Sequence, residues 1–366
     1  MGIPGARELE QDLIDLLTRK GRYKKVELAY RAKVWNTWRR RKGKTTKYHQ
    51  LEGIAIKDID FPKKLIFTGF DFTLCVFYKC TFSSTTFNNC KMGAFSRTVF
   101  NKCTFTNCSF QNLENVKMEE CTLEENSFKG QIHHTDFSKN EFGATRFEEC
   151  DLRYVSFEKI KAPYEDRRIS LKIAFSDTIL CEVNFTKANL KHCTFVRTKV
   201  EEPRKMPFVT PEGVTFLGAN LYSATFSDSA FPNTDFSKTS CLFAGFNNTL
   251  LRGAIFIESN LGSVSFKDSD LTQANFFKAK IGSANFKEAN LKGAIIDKSQ
   301  LKDAVGLEEA KNLDKIETIQ GDLEVSDQAE EGRLTVSKPG ALSVAEDQEV
   351  AEEKKSWLPK WLRRRK

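Results

Sequence analysis

The side chains of this 366-residue chain that could do chemistry are histidines, cysteines and closely spaced carboxylates. The histidines are His49, His133, His134 and His192. None stands in a HExxH zinc motif or in a Ser/His/Asp order typical of a hydrolase, and no glycine-rich phosphate loop occurs. Asp268 and Asp270 are predicted to be solvated surface carboxylates. We therefore expect a protein that is not an enzyme and that binds no cofactor.

Ten cysteines raise the question of disulfides or a metal site. No CxxC pair occurs, so no ligand spacing supports zinc. Buried thiols behave as small apolar groups, and the positions of these cysteines predict free thiols in a reducing compartment and no metal. Eight of them lie two positions before a large apolar residue: Cys75, Cys80, Cys90, Cys103, Cys108, Cys121, Cys150 and Cys193.

Large apolar residues recur every five positions along most of the chain, and this repeat sets the positions of the cysteines and carboxylates. Between positions 216 and 301, eighteen positions spaced by five hold Phe, Leu or Ile, with the one exception of Cys241. Two residues earlier there is often a small residue, such as Ala219 or Ala224. Helices repeat apolar residues every 3.6 positions and strands every two, so a period of five fits neither. It fits a square coil with four five-residue sides, in which the large and small residues point inward and the other three face water.

Several repeats show a small residue, an asparagine and a large apolar residue in succession. They include Ala219-Asn220-Leu221, Ala274-Asn275-Phe276, Ala284-Asn285-Phe286 and Ala289-Asn290-Leu291. On these motifs the chain resembles the pentapeptide-repeat family over about 250 of its residues. The resemblance implies an all-β solenoid, a right-handed quadrilateral β-helix of pentapeptide repeats.

Some pentapeptide-repeat proteins resemble duplex DNA in shape and charge, and they bind and protect a topoisomerase. Those proteins have acidic faces, a C-terminal dimerisation module and loops that touch the enzyme. This chain shares projecting loops, but its residues 51–320 carry 34 basic and 34 acidic side chains. A surface with one strongly acidic face would favour a topoisomerase-binding DNA mimic.

Charge and composition divide the chain into four segments. Residues 1–50 carry 14 basic and 5 acidic side chains and predict a short α-helical N-terminal cap with a basic face. Residues 51–319 predict the β-helix with a closing cap. Residues 320–353 are acidic and have the composition of a disordered linker, and residues 354–366 form a basic, Trp-containing tail.

Two proline-containing loops, 158–172 and 201–213, interrupt the predicted coil. Only six repeats separate them, so the loops leave the coil close together along its axis and could form one lobe. Insertions in repeat proteins often map to the binding face, and a tolerated surface insertion is the alternative. The basic residues of these loops that we select as candidate contacts are Arg167, Arg168, Arg204 and Lys205.

The five-residue phase also slips three times in the first half of the coil. The slips fall at 92–95, 110–113 and 128–137. We interpret them as bulges or short loops at corners of a coil that continues through them.

The C-terminal tail joins two Trp-Leu pairs to a basic cluster. Its candidate contact residues are Trp357, Trp361, Arg363, Arg364 and Arg365. Trp and Arg are favoured at an anionic membrane surface, but the same peptide could dock on a protein or stay solvated. No apolar run of 18 residues and no signal peptide is found, which predicts a cytoplasmic protein with the tail as a peripheral membrane contact.

These features favour a non-catalytic rigid scaffold for protein–protein interaction. Its coil would be about 50 Å long, from about ten turns at the β-sheet spacing. The basic termini would add localisation or a second contact. The alternatives are a membrane-peripheral adaptor anchored by residues 354–366 and the topoisomerase-binding DNA mimic. We do not expect a nucleic-acid partner.

Overall fold

The computed structural model of the chain describes residues 49–50, 55–58, 60–61, 63–161, 173–201 and 213–316. These residues form a parallel β-solenoid, because every strand pairing and single-residue bridge among them is parallel. The expected all-β solenoid of pentapeptide repeats is confirmed. The predicted α-helical N-terminal cap lies outside the described residues, apart from positions 49 and 50.

Short strands make up the first half of the coil, and three 3₁₀ helices close it at its C-terminal end. The strands are β1 His49–Gln50, β2 Ala55–Lys57, β3 Ile66–Thr68, β4 Phe70–Asp71, β5 Val76–Tyr78, β6 Thr81–Ser83, β7 Thr86–Asn88, β8 Ala94–Ser96, β9 Val99–Asn101, β10 Thr104–Thr106, β11 Ser109–Phe110, β12 Leu113–Glu114, β13 Lys117–Glu119, β14 Thr122–Glu124, β15 Ser127–His133, β16 Glu141–Phe142, β17 Arg146–Ser156, β18 Ala174–Ser176, β19 Ile179–Asn184 and β20 Lys199–Val200. The 3₁₀ helices are Lys298–Asp303, Leu307–Glu309 and Leu313–Lys315.

Each coil has four sides, which we number by their central buried residues in one coil. Side 1 is centred on Phe216, side 2 on Leu221, side 3 on Phe226 and side 4 on Phe231, and all four are 0% exposed. A corner is named by the two sides that it joins. Beyond β20, neighbouring coils pair through single-residue parallel bridges that recur every five residues along the chain.

A single ladder of parallel pairings runs along side 1 through both loops. It connects Asp60, Thr81, Val99, Lys117, Asp136, Ser156, Asn184, Thr215, Asp235, Ile255, Asn275 and Ile295 in that order. Its eleven steps, at roughly 4.8 Å each, give a ladder of about 53 Å. The loops therefore do not interrupt the solenoid.

In the later coils the core consists of two phenylalanine stacks and two aliphatic rows, whereas in the first coils phenylalanines also stack on sides 2 and 4. From Phe157 on side 1 and Phe175 on side 3, stacked rings of successive coils have their centroids 4.5–5.4 Å apart, as far as Phe276 and Phe286. In the coils after Phe231, leucine, isoleucine and Cys241 fill sides 2 and 4. Aromatic pairs of this kind contribute about 0.5–1.5 kcal/mol beyond the area that they bury.

All three phase slips fall at corner 3/4. They shorten the path between the central residues of sides 3 and 4, and the side 4 residue after Phe128 is Ile132, which pairs with Leu113 and Leu152. The backbone passes very close to its neighbour there, since a Cβ added to Gly93 would lie 2.2 Å from the Cys75 carbonyl oxygen. The slips do lie at corners of a coil that continues through them, as predicted, but they shorten these corners instead of adding bulges or loops, and the sequence did not place Ile132 in the core.

Most sides of the coil end in a residue with positive φ, and most of these residues are not glycine. In the later coils the turn closes with a hydrogen bond from the small inward residue to the preceding central residue, such as Ala224 N to Leu221 O at 3.0 Å. The left-handed conformation costs an L-residue about 1–2 kcal/mol. Lys, Ser, Glu and Asn occupy most of these turn positions, as in Lys238, Ser263 and Glu288.

Candidate interaction surface

The structure describes the two ends of each loop. The first loop leaves the coil after Lys161 on side 2 and returns at Ile173 before side 3. The second leaves after Glu201, beyond the end of side 4, and returns at Gly213 before side 1. The loops therefore start at corners 2/3 and 4/1, which are diagonally opposite. The ends of the loops give no support to a single lobe.

None of the predicted contact residues belongs to the described part of the chain. Arg167, Arg168, Arg204 and Lys205 lie in the loops outside it. The same holds for the tail residues Trp357, Trp361, Arg363, Arg364 and Arg365. The structure does describe the surface of the coil next to the points where each loop begins and ends.

An aromatic cluster lies along corner 2/3, directly above the first loop. His192, Tyr222 and Phe243 occupy this corner in three successive coils, with 5.6 Å between neighbouring ring centroids. Phe243 is 56% exposed and has a φ of 59°. A bulky residue in the left-handed region is a genuine outlier, and such strain is concentrated at functional sites. We call His192, Tyr222, Leu242 and Phe243 the aromatic corner.

Leu242 broadens the apolar surface of the aromatic corner onto side 2. Its side chain lies over Gly262 of the next coil, where an added Cβ would come within 2.8 Å of Leu242 Cδ2. The neighbouring outward residues on this side are small or amide residues, Asn220, Ser240 and Asn260. The result is a flat surface with aromatic rings at its edge.

A smaller aromatic pair lies at corner 4/1, below the second loop. His134 and Tyr154 stack with centroids 4.7 Å apart and planes 5° apart, and Tyr154 is 41% exposed. Both have positive φ, 49° and 55°. Each loop thus has an exposed aromatic and a histidine at its own corner. The sequence could have indicated Phe243 and Tyr154, because each stands two positions after a central residue, where polar residues predominate.

Charged side chains form a chain of contacts across side 4. His133 lies 3.7 Å from Glu114 and 3.6 Å from Asp151, measured between nitrogen and carboxylate oxygen. Arg153 donates to Asp151 at 3.0 Å and to Glu201 at 3.0 Å, which ties the start of the second loop to the coil. His133 lies on side 4 whereas its neighbour His134 stacks on Tyr154 at corner 4/1, so they do not form a joint site.

The inward cysteines form no chemical site either. All ten cysteines are buried and free, and the thiols of six of them donate to backbone carbonyls, as Cys121 does to Phe100 O at 3.4 Å. Burial raises the pKa of Cys150, Cys193 and Cys241 to about 12. Among the described residues no group of three His, Cys, Asp or Glu side chains could hold a metal ion.

The described coil has one basic and one acidic edge. Exposed Lys139, Lys159, Lys187, Lys238 and Lys278 lie along corner 1/2, with Glu120 and Glu258 among them. The acidic edge is the diagonally opposite corner 3/4. Its carboxylates are those of Glu149, Asp177, Asp228, Asp268 and Glu288.

Most of the acidic edge is neutralised by local partners. Arg197 contacts Asp177 at 2.7 Å, and this hydrogen bond raises the pKa of Arg197. Lys311 contacts Glu288 at 2.9 Å, and Asn248 donates to Asp228 at 2.7 Å. We find no unpaired acidic face on the described coil of the kind that would favour DNA mimicry.

Asp270 corrects one expectation about surface carboxylates. It does point outward, on side 4, but it is only 2% exposed because Arg252, Thr272 and Asn290 cover it. Asp268, two residues earlier, is solvated as expected, with half of its side chain exposed.

A family model described as pentapeptide repeats matches residues 243–276 and 269–305, with eight copies of the repeat. This chain contains pentapeptide repeats of that family. The matched residues include Phe243 and most of the regular coil above the second loop. No curated protein matches the chain.

Solved structures of pentapeptide-repeat proteins are similar to parts of the chain. HetL, a pentapeptide-repeat protein involved in heterocyst differentiation regulation from the cyanobacterium Nostoc sp. strain PCC 7120, is 14% identical, with 71% of this chain and 95% of HetL covered and a TM-score of 0.32. QnrB1, a plasmid-mediated fluoroquinolone resistance protein, is 14% identical over 70% of this chain and 96% of its own, with a TM-score of 0.28. Rfr23 from the cyanobacterium Cyanothece 51142 is 21% identical over 39% and 88%, with a TM-score of 0.19.

With TM-scores below 0.5, these similarities assign no function to the chain. Its fold is established by its own ladders and stacks. No helix within the described ranges is long and apolar enough to cross a membrane.

Proposed function

We propose that this pentapeptide-repeat chain is a non-catalytic scaffold that binds a protein partner through the aromatic corner, with the first loop as a neighbouring contact. The observation that carries the proposal is Phe243, 56% exposed at a φ of 59°. A lysine, serine or asparagine would serve the turn at a lower cost in free energy. A phenylalanine held there is better explained by a contact that the isolated chain does not make.

The chemistry of the aromatic corner suits a protein surface. Exposed aromatic residues next to flat amide and apolar positions provide contact area with little loss of side-chain freedom, and aromatic residues are enriched among those that dominate binding energy. Arg167 and Arg168 follow Lys161 in the loop that starts at the same corner, so we propose that they add polar contacts at the rim. The free thiols support a cytoplasmic location.

The test is an affinity pull-down from native lysate with the full chain and three variants. The variants are Phe243→Asn, Leu74→Asn and a chain that lacks residues 321–366. Leu74 is the matched control because it is 55% exposed at a distant corner. We expect one protein to be retained by all chains except Phe243→Asn, and its affinity for that variant to fall by about tenfold or more.

Two outcomes would overturn the proposal. If Phe243→Asn retains the partner at the original affinity, the aromatic corner is not the binding surface. If the partner or a membrane fraction is lost only from the chain without residues 321–366, the tail carries the function, as the membrane-adaptor alternative states.

A further inference from the structure

A second surface of the coil is apolar, although outward positions of the five-residue repeat are mostly polar. On side 1, between the second loop and the C-terminal end, five outward positions hold aliphatic or aromatic residues. They are Leu217, Ile255, Ile257, Phe277 and Ile295. Four of them are partly exposed, and Ile257 is 2% exposed because its neighbours pack over it. We call these five residues the side 1 patch.

Cations border the side 1 patch along corner 1/2. Lys238 and Lys278 are exposed there, with Lys278 Nζ 5.1 Å from the centre of the Phe277 ring. Lys238 lies 3.9 Å from Glu258, the one acidic residue between the two lysines along this corner. A ligand suited to this surface would be an extended segment with apolar side chains on one face and carboxylates along its edge.

The described chain ends beside this patch. Lys315 O accepts a hydrogen bond of 2.9 Å from Gly293 N, which places Lys315 above corner 4/1 of the last coil. Ile316 packs against the core, and the chain continues from there at the side 1 end of the solenoid, where Ile295 lies. The residues that follow are therefore tethered next to the patch.

The sequence after this point has the required alternation. Residues 322–326 read Asp-Leu-Glu-Val-Ser, with polar and apolar residues at alternate positions, and residues 322–331 hold five acidic and no basic side chains. Such alternation is typical of a strand with one apolar face. Six extended residues reach about 20 Å, and the patch spans four coil steps, or about 19 Å.

We propose that residues 322–327 of this chain cover the side 1 patch. Leu323 and Val325 contact the apolar residues, and Asp322 and Glu324 lie near Lys238 and Lys278. The first part of the acidic segment is then an internal cover for one face of the coil. A protein that binds side 1 has to displace this cover. Side 1 and the aromatic corner are therefore two separate surfaces, and a partner can reach the aromatic corner without displacing residues 322–327.

Zero-length carbodiimide cross-linking of the full chain tests this proposal, because it joins a carboxylate to a lysine amine only when the two are in contact. We expect cross-links from Asp322 or Glu324 to Lys238 or Lys278, mapped by mass spectrometry. Lys267 is the control lysine, since its side chain is 49% exposed, against 52% for Lys238, but it lies towards corner 3/4. The control should give no such product.

A variant with Leu323→Ser and Val325→Ser separates specific docking from general attraction between charges. Both substitutions lie outside the coil, so they leave its core unchanged, and all carboxylates remain. We expect the cross-links to Lys238 and Lys278 to fall to the level of Lys267. Unchanged cross-links would show that charge alone brings the segment near and would overturn the proposal.

Two further outcomes would also overturn it. In a mixture of isotope-labelled and unlabelled chains, cross-links between the two kinds would show that a second copy supplies the segment. Cross-links from residues 1–50 to Lys238 or Lys278 would show that the N-terminal segment covers side 1. None of these outcomes depends on Phe243, so the proposed function and this inference can fail separately.

Discussion

Phe195 and Phe226 stack with their centroids 4.7 Å apart and their planes 1° apart, although 31 positions separate them in the sequence. Rings in the same stack above them are separated by 20 positions, as Phe226 and Phe246 are, with a centroid distance of 4.5 Å. The second loop lies between Phe195 and Phe226. The stack is therefore set by the coil and not by the length of chain between its members.

Removing residues 202–212 should leave the coil folded. Val200 and Phe216 are 16 positions apart, and deletion of 11 residues restores the spacing of five. Gly213, with a φ of 73°, would then occupy the turn position after Glu201, where positive φ is required. We expect the melting temperature to change by no more than a few degrees and the circular dichroism spectrum to keep its shape. Thermal unfolding followed by circular dichroism measures both.

The control for this prediction is a deletion of residues 202–214, two residues longer. It removes Val214 from its inward slot and puts Thr215 and Phe216 out of phase with the coils on either side. This variant should unfold at a much lower temperature or fail to fold. Equal melting temperatures for both deletions would contradict the view that the five-residue phase decides stability.

The opposite placement of the two loops could have been read from the repeat count. Four sides complete a coil, so six repeats between two loops amount to one and a half coils and bring the second loop out at the opposite corner. The period of five also places the core residues, because inward positions such as those of Phe226 and Ala224 recur every five residues. The sequence could not place Ile132, because a tightened corner shifts the phase by an amount that depends on backbone contacts between coils.

Exposed residues were harder to foresee than the core. The phase marks Asp270 and Phe243 as outward, but burial at an outward position depends on neighbours from adjacent coils that lie about 20 residues away. Arg252 and Asn290 cover Asp270, while no described side chain covers most of Phe243. The pattern within one repeat does not show whether residues of adjacent coils cover an outward side chain.

Phe243→Asn should stabilise the folded chain while it weakens partner binding. Asparagine adopts the left-handed conformation more readily than phenylalanine, and the gain is about 1 kcal/mol in the free energy of unfolding. Leu74→Asn, at a residue without positive φ, should bring no gain. Urea unfolding of the two variants and the parent chain measures the difference. A Phe243→Asn variant that is less stable than the parent would show that the ring contributes packing within the chain that outweighs its backbone strain.

The buried thiols should make the protein less stable at alkaline pH. Burial raises the pKa of Cys193 from 9.0 to about 12, so between these values the unfolded chain loses a proton that the folded chain keeps. The stability contributed by the protonated thiol is complete below pH 9 and falls as pH rises toward 12, by about 1.4 kcal/mol per pH unit. Urea unfolding at pH values from 8 to 10.5 measures this slope.

Cys193→Ala isolates the effect from other groups that titrate in this range. Alanine fills the same inward slot in later coils, as Ala224 does, so the variant should fold. Its stability should fall less steeply above pH 9 than that of the parent chain. If the two slopes agree, deprotonation of this thiol is not what couples folding to pH.

Removal of Arg252 should cost more stability than neutralisation of its partner. Arg252 Nε lies 2.5 Å from Asp270 Oδ2, and the arginine side chain is 40% exposed while the aspartate is 2% exposed. Arg252→Ala leaves a buried carboxylate without its cation and should cost about 1–3 kcal/mol in the free energy of unfolding. Asp270→Asn keeps an oxygen that can accept from Thr272, and the freed guanidinium can turn to water, so this change should cost less. Urea unfolding of the single and double variants measures the coupling between them, and a larger loss for Asp270→Asn than for Arg252→Ala would show that the hydrogen bonds of the carboxylate outweigh its ion pair.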